Sequence, residues 1–276
     1  MSTRQGQTWR LILSPPNSGA WNMALDEAIL ETTIIKKSSP TLRLYSWSRP
    51  CLSLGYAQPI SQIDLERVRA YKWDVVRRPT GGRAILHADE LTYSVIAALD
   101  EPLFSGGVLE SYRTISRGLI YALEILKVQI EVQPEVKLTN DEREQAICFE
   151  IPSSYEITAH GKKLIGSAQV RRKGGMLQHG SLPLEGEITR ICQVLSYPSE
   201  DQRTRAANHL RMRATTLAQL LGELIPWQKV ADAIVEGFME ALGVHFDQHT
   251  ELEEENVRAQ RLSREKYEAH EWVAHI

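Results

Sequence analysis

The sequence predicts an α+β fold, and three observations carry that expectation. Short alternating strands crowd the first 190 or so residues, amphipathic helical periods interrupt them, and helical periods dominate from about residue 191 to 276. The 276 residues, 42% hydrophobic and 24% charged, suffice for a sizeable core. No internal repeat or long linker divides them, so a single domain over 1–276 is expected.

In chain order, Asn22 to Leu30 reads as a helix because Trp21, Leu25, Ala28 and Ile29 recur at one-turn spacing, with Asn17 or Ser18 available as a cap. Thr41 to Trp47 is a strand in which leucines alternate with Arg43 and Tyr45, and Leu52 to Leu54 is a second one between Pro50 and Gly55. Val75–Val76 and Ala84–Leu86 read as two strands around a Gly81–Gly82 turn. The helical period returns from Leu109 to Leu126, with Leu109, Tyr112, Leu119, Leu123 and Leu126 as its buried stripe.

Glu131 to Gln145 is polar and holds Pro134, which predicts a mobile loop. Three strands follow at Tyr155 to Thr158, Lys163 to Arg171 and Met176 to Leu182, the first two joined by a hairpin at His160–Gly161. Thr216 with Gln219 resembles a capping box. Pro226 opens a helix with the stripe Val230, Ile234, Phe238 and Leu242, which Gly243 can end. The acidic segment Glu251 to Trp272 reads as a solvated helix with a few apolar anchors.

Composition excludes several function classes. A net charge of −3 gives no broad basic field for a nucleic-acid backbone. The polar N-terminus lacks a signal-peptide core, and no run approaches the roughly 18 apolar residues of a membrane span, so a cytoplasmic protein without membrane or nucleic-acid partners is expected. Cys51, Cys148 and Cys192 are widely spaced and odd in number, which suits neither a disulfide framework nor a paired-cysteine metal site.

Chemistry-bearing residues concentrate in four segments. Arg77 to His87 joins arginines to a glycine pair that lets backbone approach a phosphate- or thioester-bearing ligand, with a hairpin turn and solvated basic rim as the lesser alternative. In Gly161 to Gln169, strand alternation places Lys163 and Ile165 on one face and Leu164 and Gly166 on the other; Lys162 and Lys163 are either site residues or charges guarding an edge strand. His179, among glycines, could orient a carbonyl or move a proton, against the commoner structural hydrogen-bonding role. Cys148, among apolar neighbours, is either a core thiol or a nucleophile at a loop edge, with Lys163 15 residues on. Cys51 and Cys192 read as core residues.

Taken together, Asn22 to Glu27, Leu42 to Trp47, Leu52 to Gly55, Arg77 to His87, Lys163 to Ala168 and Gln178 to Ser181 resemble, in order, the biotin- and lipoate-attachment family. That resemblance implies a central mixed β-sheet flanked by helices, an acyl pocket under the glycine loop, and a strand lysine touching the acyl carbonyl. ATP-dependent ligases of the family make an acyl-adenylate. This sequence departs from their pattern, with Arg83 at the third glycine, Glu90–Leu91 in place of Gly-Asn, and Ser154 to Glu156 where Asn-Asp precedes the lysine.

It is more similar to the cysteine-dependent octanoyltransferase branch at Arg77 to His87, Glu90 to Ser94 and Cys148 to Glu156, except that Ala88 replaces the usual aspartate and Asp89 follows it. The resemblance implies that Cys148 accepts an octanoyl group from acyl carrier protein and passes it to a lysine of a lipoyl-domain or glycine-cleavage H-type protein, without nucleotide, cofactor or metal. Lys163 would favour the thiolate and donate to the oxyanion, and Arg78, Gly81, Gly82, Arg83, His87, Gly166, Ser167, His179 and Gly180 would contact the substrate. Arg171, Arg172 and Lys173 offer a docking patch for an acidic carrier, or merely a solvated turn. An ATP-dependent ligase and a non-catalytic lipoyl- or biotinyl-binding protein are the rival readings.

Overall fold

The computed structural model describes residues 7–132 and 157–276. Trp9, Leu11 and Leu13 alternate along β1 (Gln7–Leu13) toward one face, and Ile12 faces the other. Ser18 then caps α1 (Gly19–Lys36) by accepting the Trp21 N–H at 3.2 Å. This helix is buried nearly all round, including Asn22, Asp26 and Glu27. Strands β2 (Thr41–Tyr45) and β3 (Cys51–Leu54) follow, then a short α2 (Leu65–Ala70) capped by Asp64.

Next come β4 (Asp74–Arg77), β5 (Ile85–His87), β6 (Glu90–Ala98), α3 (Val108–Ile125) and β7 (Glu131–Val132). Beyond the undescribed segment lie β8 (Ile157–Ala159), β9 (Lys162–Arg172) and β10 (Gly175–Pro183). The C-terminal portion holds α4 (Glu200–Arg213), α5 (Leu217–Leu221), α6 (Trp227–Leu242), β11 (Val244–Gln248), α7 (Glu253–Leu262) and α8 (His270–Val273).

Eight strands form one mixed sheet in the order β11-β1-β2-β6-β10-β9-β8-β7. One face packs on α3 and α6, where Trp9 meets Phe104, Phe238 and Phe246 with ring centroids 5.6, 6.3 and 6.2 Å apart. Such aromatic pairs add about 0.5–1.5 kcal/mol each beyond the area they bury. The other face packs on α1 and α7 through Ile12, Met23, Ile29, Ile96, Leu177 and Leu262. Both faces are therefore covered, and the polar residues that alternate along β2, β6 and β10 are buried with the apolar ones.

Several expectations are corrected. Leu109 is exposed, and the α3 stripe runs through Ile115, Leu119, Ala122 and Leu123. The tail is mostly solvated and anchored by Ala259, Leu262 and Tyr267, as expected, but Glu255 is unexpectedly buried, paired with Arg10. No sequence signal marked β11, which returns to pair with β1 in parallel. The strands on either side of Gly81–Gly82 do not form a hairpin. They flank β3 in a separate sheet ordered β4-β3-β5, so the glycine loop crosses over the end of β3. The predicted mobile loop lies outside the described residues beyond Val132, as do the predicted strand's first two residues, Tyr155 and Glu156.

Candidate active site

Register brings the site together. On the α1-facing side, His179 of β10 lies beside Ser94 of β6 and Ala168 of β9, and Ser181 lies beside Thr92 and Gly166. Arg43 and Tyr45 of β2 complete the row opposite Ser94 and Thr92. Over this row sits the loop from Arg78 to Arg83, covering a small pocket whose walls include Met23, Trp47, Arg78, Ile85, Ala168 and His179.

The pocket floor is an electrostatic unit. Arg43 donates to the Asp26 carboxylate at 2.8 Å, Ser94 donates to it at 2.9 Å, and the Tyr45 hydroxyl at 3.1 Å. Burial pushes the Asp26 carboxyl up, but the Arg43 guanidinium and His179 outweigh it and hold the group below its ordinary range. Burial, reinforced by Asp26, also keeps the Tyr45 hydroxyl protonated. His179 stands with Nδ1 3.9 Å from Asp26 and Nε2 2.7 Å from the Thr80 hydroxyl. Burial lowers its pKa despite Asp26, so the ring is neutral at pH 7. A neutral ring with Nδ1–H toward Asp26 leaves Nε2 to accept from Thr80, which ties the glycine loop to the sheet.

A second unit borders the mouth. His87 Nδ1 lies 2.8 Å from Glu90 and its Nε2 2.7 Å from Ser53 Oγ, while its ring stacks on Trp47 at 4.0 Å. Glu90 also accepts from Thr92 and Ser181, both at 2.5 Å. Burial raises the Glu90 carboxyl, and His87 followed by the Ser181 and Thr92 hydroxyls more than reverses that. Arg78 is buried and donates to the carbonyls of Ser53, Gly81 and Arg83 at 2.9, 2.8 and 2.7 Å. It holds the loop's shape while lining the pocket.

Two glycines are demanded by contact. A Cβ on Gly55 would lie 1.8 Å from the Gly82 carbonyl oxygen, and Gly82 itself has φ of 90°. A Cβ on Gly180 would lie 2.5 Å from Tyr93 and 2.7 Å from Ser167 Oγ.

Lys163 is buried near the start of β9, and its carbonyl accepts the Thr215 N–H at 3.1 Å. The face assignment from strict alternation is corrected here. The β8–β9 register shifts at this point, pairing Ile157 with Ile165 but Thr158 with Lys163, and both Leu164 and Ile165 enter the α3-side cluster. One residue of irregularity puts Lys163 on the face of Gly166 and Ala168.

Of the candidate residues, Arg78, His87, Gly166, Ser167, His179 and Gly180 line the pocket together. Gly81 and Gly82 are exposed on the loop's outer side, and Arg83 contributes its carbonyl to Arg78; none of the three forms the pocket wall. Cys148 lies outside the described residues. Cys51 and Cys192 are buried, and burial pushes the Cys51 thiol well up, as befits core residues. The trio from Arg171 to Lys173 does not make one surface. Arg171 donates to Gly106, Gly107 and Ser111, whereas Arg172 pairs with Glu27 of α1 across the sheet.

Sequence reasoning missed Asp26, Arg43, Thr80, Glu90, Thr92 and Ser94. An acid in an apolar helix stripe and an arginine between strand leucines were the available signals for the first two.

The lipoyl protein ligase A/B catalytic-domain model matches residues 18–239. Octanoyltransferase LipM of Carboxydothermus hydrogenoformans is 41% identical over 268 residues, covering 97% of this chain and 98% of its own length. LipM of Bacillus subtilis is 38% identical over 275 residues, with the same coverage. Among solved structures, lipoate-protein ligase A bound with ATP superposes with a TM-score of 0.80 at 25% identity, covering 97% of this chain and 99% of its own. A bi-partite lipoate protein ligase from Thermoplasma acidophilum gives 0.80 at 24% identity, covering 97% and 96%. The α+β architecture, its mixed sheet and the matched residues agree: this chain belongs to the lipoyl protein ligase A/B catalytic-domain family.

Proposed function

We propose that this protein is an octanoyltransferase of lipoate biosynthesis, taking its acyl group from an acyl-carrier-protein thioester through Cys148 and delivering it to a lysine of a lipoyl-carrier protein. The observation that carries this reading is the pocket under the 78–83 loop. It is apolar at Met23, Trp47, Ile85 and Ala168 and runs toward the Lys163 end of β9. An eight-carbon chain suits such walls, and near-full-length similarity to LipM octanoyltransferases favours thioester transfer over ATP-dependent activation.

In the first step the Cys148 thiolate attacks the octanoyl thioester carbonyl. The carbon–sulfur bond to the carrier breaks, and the carrier leaves as its thiolate. In the second, a neutral acceptor-lysine amine attacks the acyl-enzyme, an amide forms, and Cys148 leaves with the amine's proton restoring the thiol. The Lys163 ammonium offsets charge on the thiolate and on the tetrahedral oxyanion. His179 is a positioning residue, since its two nitrogens face Asp26 and Thr80.

Intact-mass measurement after incubation with octanoyl-acyl carrier protein tests the scheme. One octanoyl group on the wild type and none on Cys148→Ala is expected. An adduct or undiminished transfer in Cys148→Ala overturns the thioester route. Acyl transfer from free octanoate only with ATP replaces the reading with the ligase one, and acyl-carrier binding without turnover replaces it with a binding protein.

A further inference from the structure

Arg77, the last residue of β4, is a buried charge that the proposed chemistry does not use. Its guanidinium is held by main-chain carbonyls from two distant parts of the chain. Nη1 donates to those of Gly55, Tyr56 and Gln58 at 2.8, 3.1 and 2.6 Å, whereas Nε and Nη2 donate to that of Val273 in α8 at 3.0 and 2.7 Å. A buried guanidinium is costly unless its donors are met, and its planar fork fixes the groups that meet them relative to one another. Trp272 closes the contact from the other side by donating its indole N–H to the Arg77 carbonyl at 2.8 Å. The tail therefore grips residue 77 at both its side chain and its backbone.

The Trp272 ring also packs on Tyr56, with centroids 5.8 Å apart, and lies 4.1 Å from Lys266 Nζ, which is itself paired with Glu27 of α1 at 2.7 Å. From Tyr56 the path to the pocket is short. The Tyr56 N–H donates to the Thr80 carbonyl at 2.8 Å, and the Thr80 hydroxyl meets His179. Gly55 lies so close to the Gly82 carbonyl that no Cβ fits between them. The Arg78 N–H donates to the Leu54 carbonyl at 3.0 Å, and its side chain lines the pocket. The turn at residues 55–58 is thus the support on which the glycine loop rests, and the tail holds that support from outside.

We propose that Arg77 and Trp272 are positioning residues for acyl binding: the tail clamps the 55–58 turn, and the turn sets the height of the glycine loop over the pocket. The inference rests on the acyl-pocket reading above. Neither residue lines the pocket, so both act through Tyr56, Thr80 and Gly82. A loosened clamp leaves the sheet and its pocket floor in place and frees only the roof.

Two variants of the full chain separate the parts of the clamp. Trp272→Phe keeps a ring against Tyr56 but loses the indole donor, and Trp272→Ala loses both. Amide hydrogen exchange at Tyr56 and residues 79–83 is expected to accelerate about tenfold or more in Trp272→Ala and less in Trp272→Phe, while the amides of β6 exchange as in the wild type. With octanoyl-acyl carrier protein as donor, KM is expected to rise about fivefold or more in Trp272→Ala with kcat within about twofold of wild type, and Trp272→Phe recovers most of that loss. Arg77→Lys keeps the charge without the fork and is expected to loosen the same loop. Acceleration confined to the tail, acceleration spread evenly over β6 and the loop, or an unchanged KM overturns the assignment. Wild-type enzyme inert toward the octanoyl thioester defeats the acyl-transfer reading instead, before any variant is made.

Discussion

Replacing Asp26 by asparagine removes one negative charge from a place where Arg43 has no exposure to water. The geometry says what that costs. The asparagine carbonyl can take the Oδ1 position and still accept from Arg43 and Ser94, now at 2.8 and 2.9 Å, and its amide can donate to Tyr45 in place of the present 3.1 Å bond. The bonds to Arg43, Ser94 and Tyr45 are kept, the His179 Nδ1–H faces an amide in place of a carboxylate oxygen, and the main loss is that of the charge, which leaves a buried guanidinium uncompensated. Breaking a buried pair in this way costs about 3–5 kcal/mol, and the retained bonds place Asp26→Asn near 3. With a urea dependence of about 3 kcal/mol per molar, the denaturation midpoint falls by about 1 M.

The informative assay is a double-mutant cycle in urea at pH 7. Arg43→Met removes the other charge, and the double variant is expected to be less destabilised than the sum of the singles, by about 2–3 kcal/mol. A midpoint shift below about 0.3 M for Asp26→Asn, or a coupling below about 0.5 kcal/mol, would refute the claim that this pair organises the floor of the pocket.

Gly180→Ala brings a methyl within 2.5 Å of Tyr93 and 2.8 Å of the Gly166 carbonyl, so thermal melting is expected to register an overpacking loss of about 1–3 kcal/mol, together with a raised KM for the octanoyl donor. Gly55→Ala meets the Gly82 carbonyl at 1.8 Å and must displace the glycine loop; acyl transfer is expected to drop by about 100-fold, measured beside an unfolding curve that moves far less. His179 has a native pKa depressed below 6.5 by burial, so between that lower value and 6.5 the unfolded chain binds more protons than the native one. Its contribution to stability is fully present above pH 6.5 and is lost as the pH falls through that window. Nitrogen chemical shifts of the ring are expected to report a neutral, Nδ1-protonated imidazole at pH 7, and an imidazolium there would contradict the loop-anchoring role.

The parts of this molecule that were legible in the sequence are those where one local rule decides. Ser18 and Thr216 cap their helices because a hydroxyl at that offset meets a free N–H wherever the helix lies, and His160–Gly161 turns the β8–β9 hairpin through φ values of 51° and 70°. What escaped is set by the second layer. Alternation made Arg43 look like the outward residue of a strand, and that is how it is built. The same outward face is then roofed by α1, which turns Arg43, Ser94 and Asp26 into the charged floor of a pocket.

Gly81–Gly82 read as a hairpin because two strands flanked it, yet β3 comes between them, and only the close approach of Gly55 to Gly82 reveals that crossing. Lys163 was placed on the wrong face by a rule that a single irregularity at Leu164 reverses. In each case the residues were noticed and the partner was not. Motif order overcame this for the site as a whole because Arg78 with His87, Gly166 and His179 come from three separated segments. Nothing local relates them except a sheet in which β10 lies between β6 and β9, with the small β4-β3-β5 sheet bringing Arg78 and His87 to the same pocket.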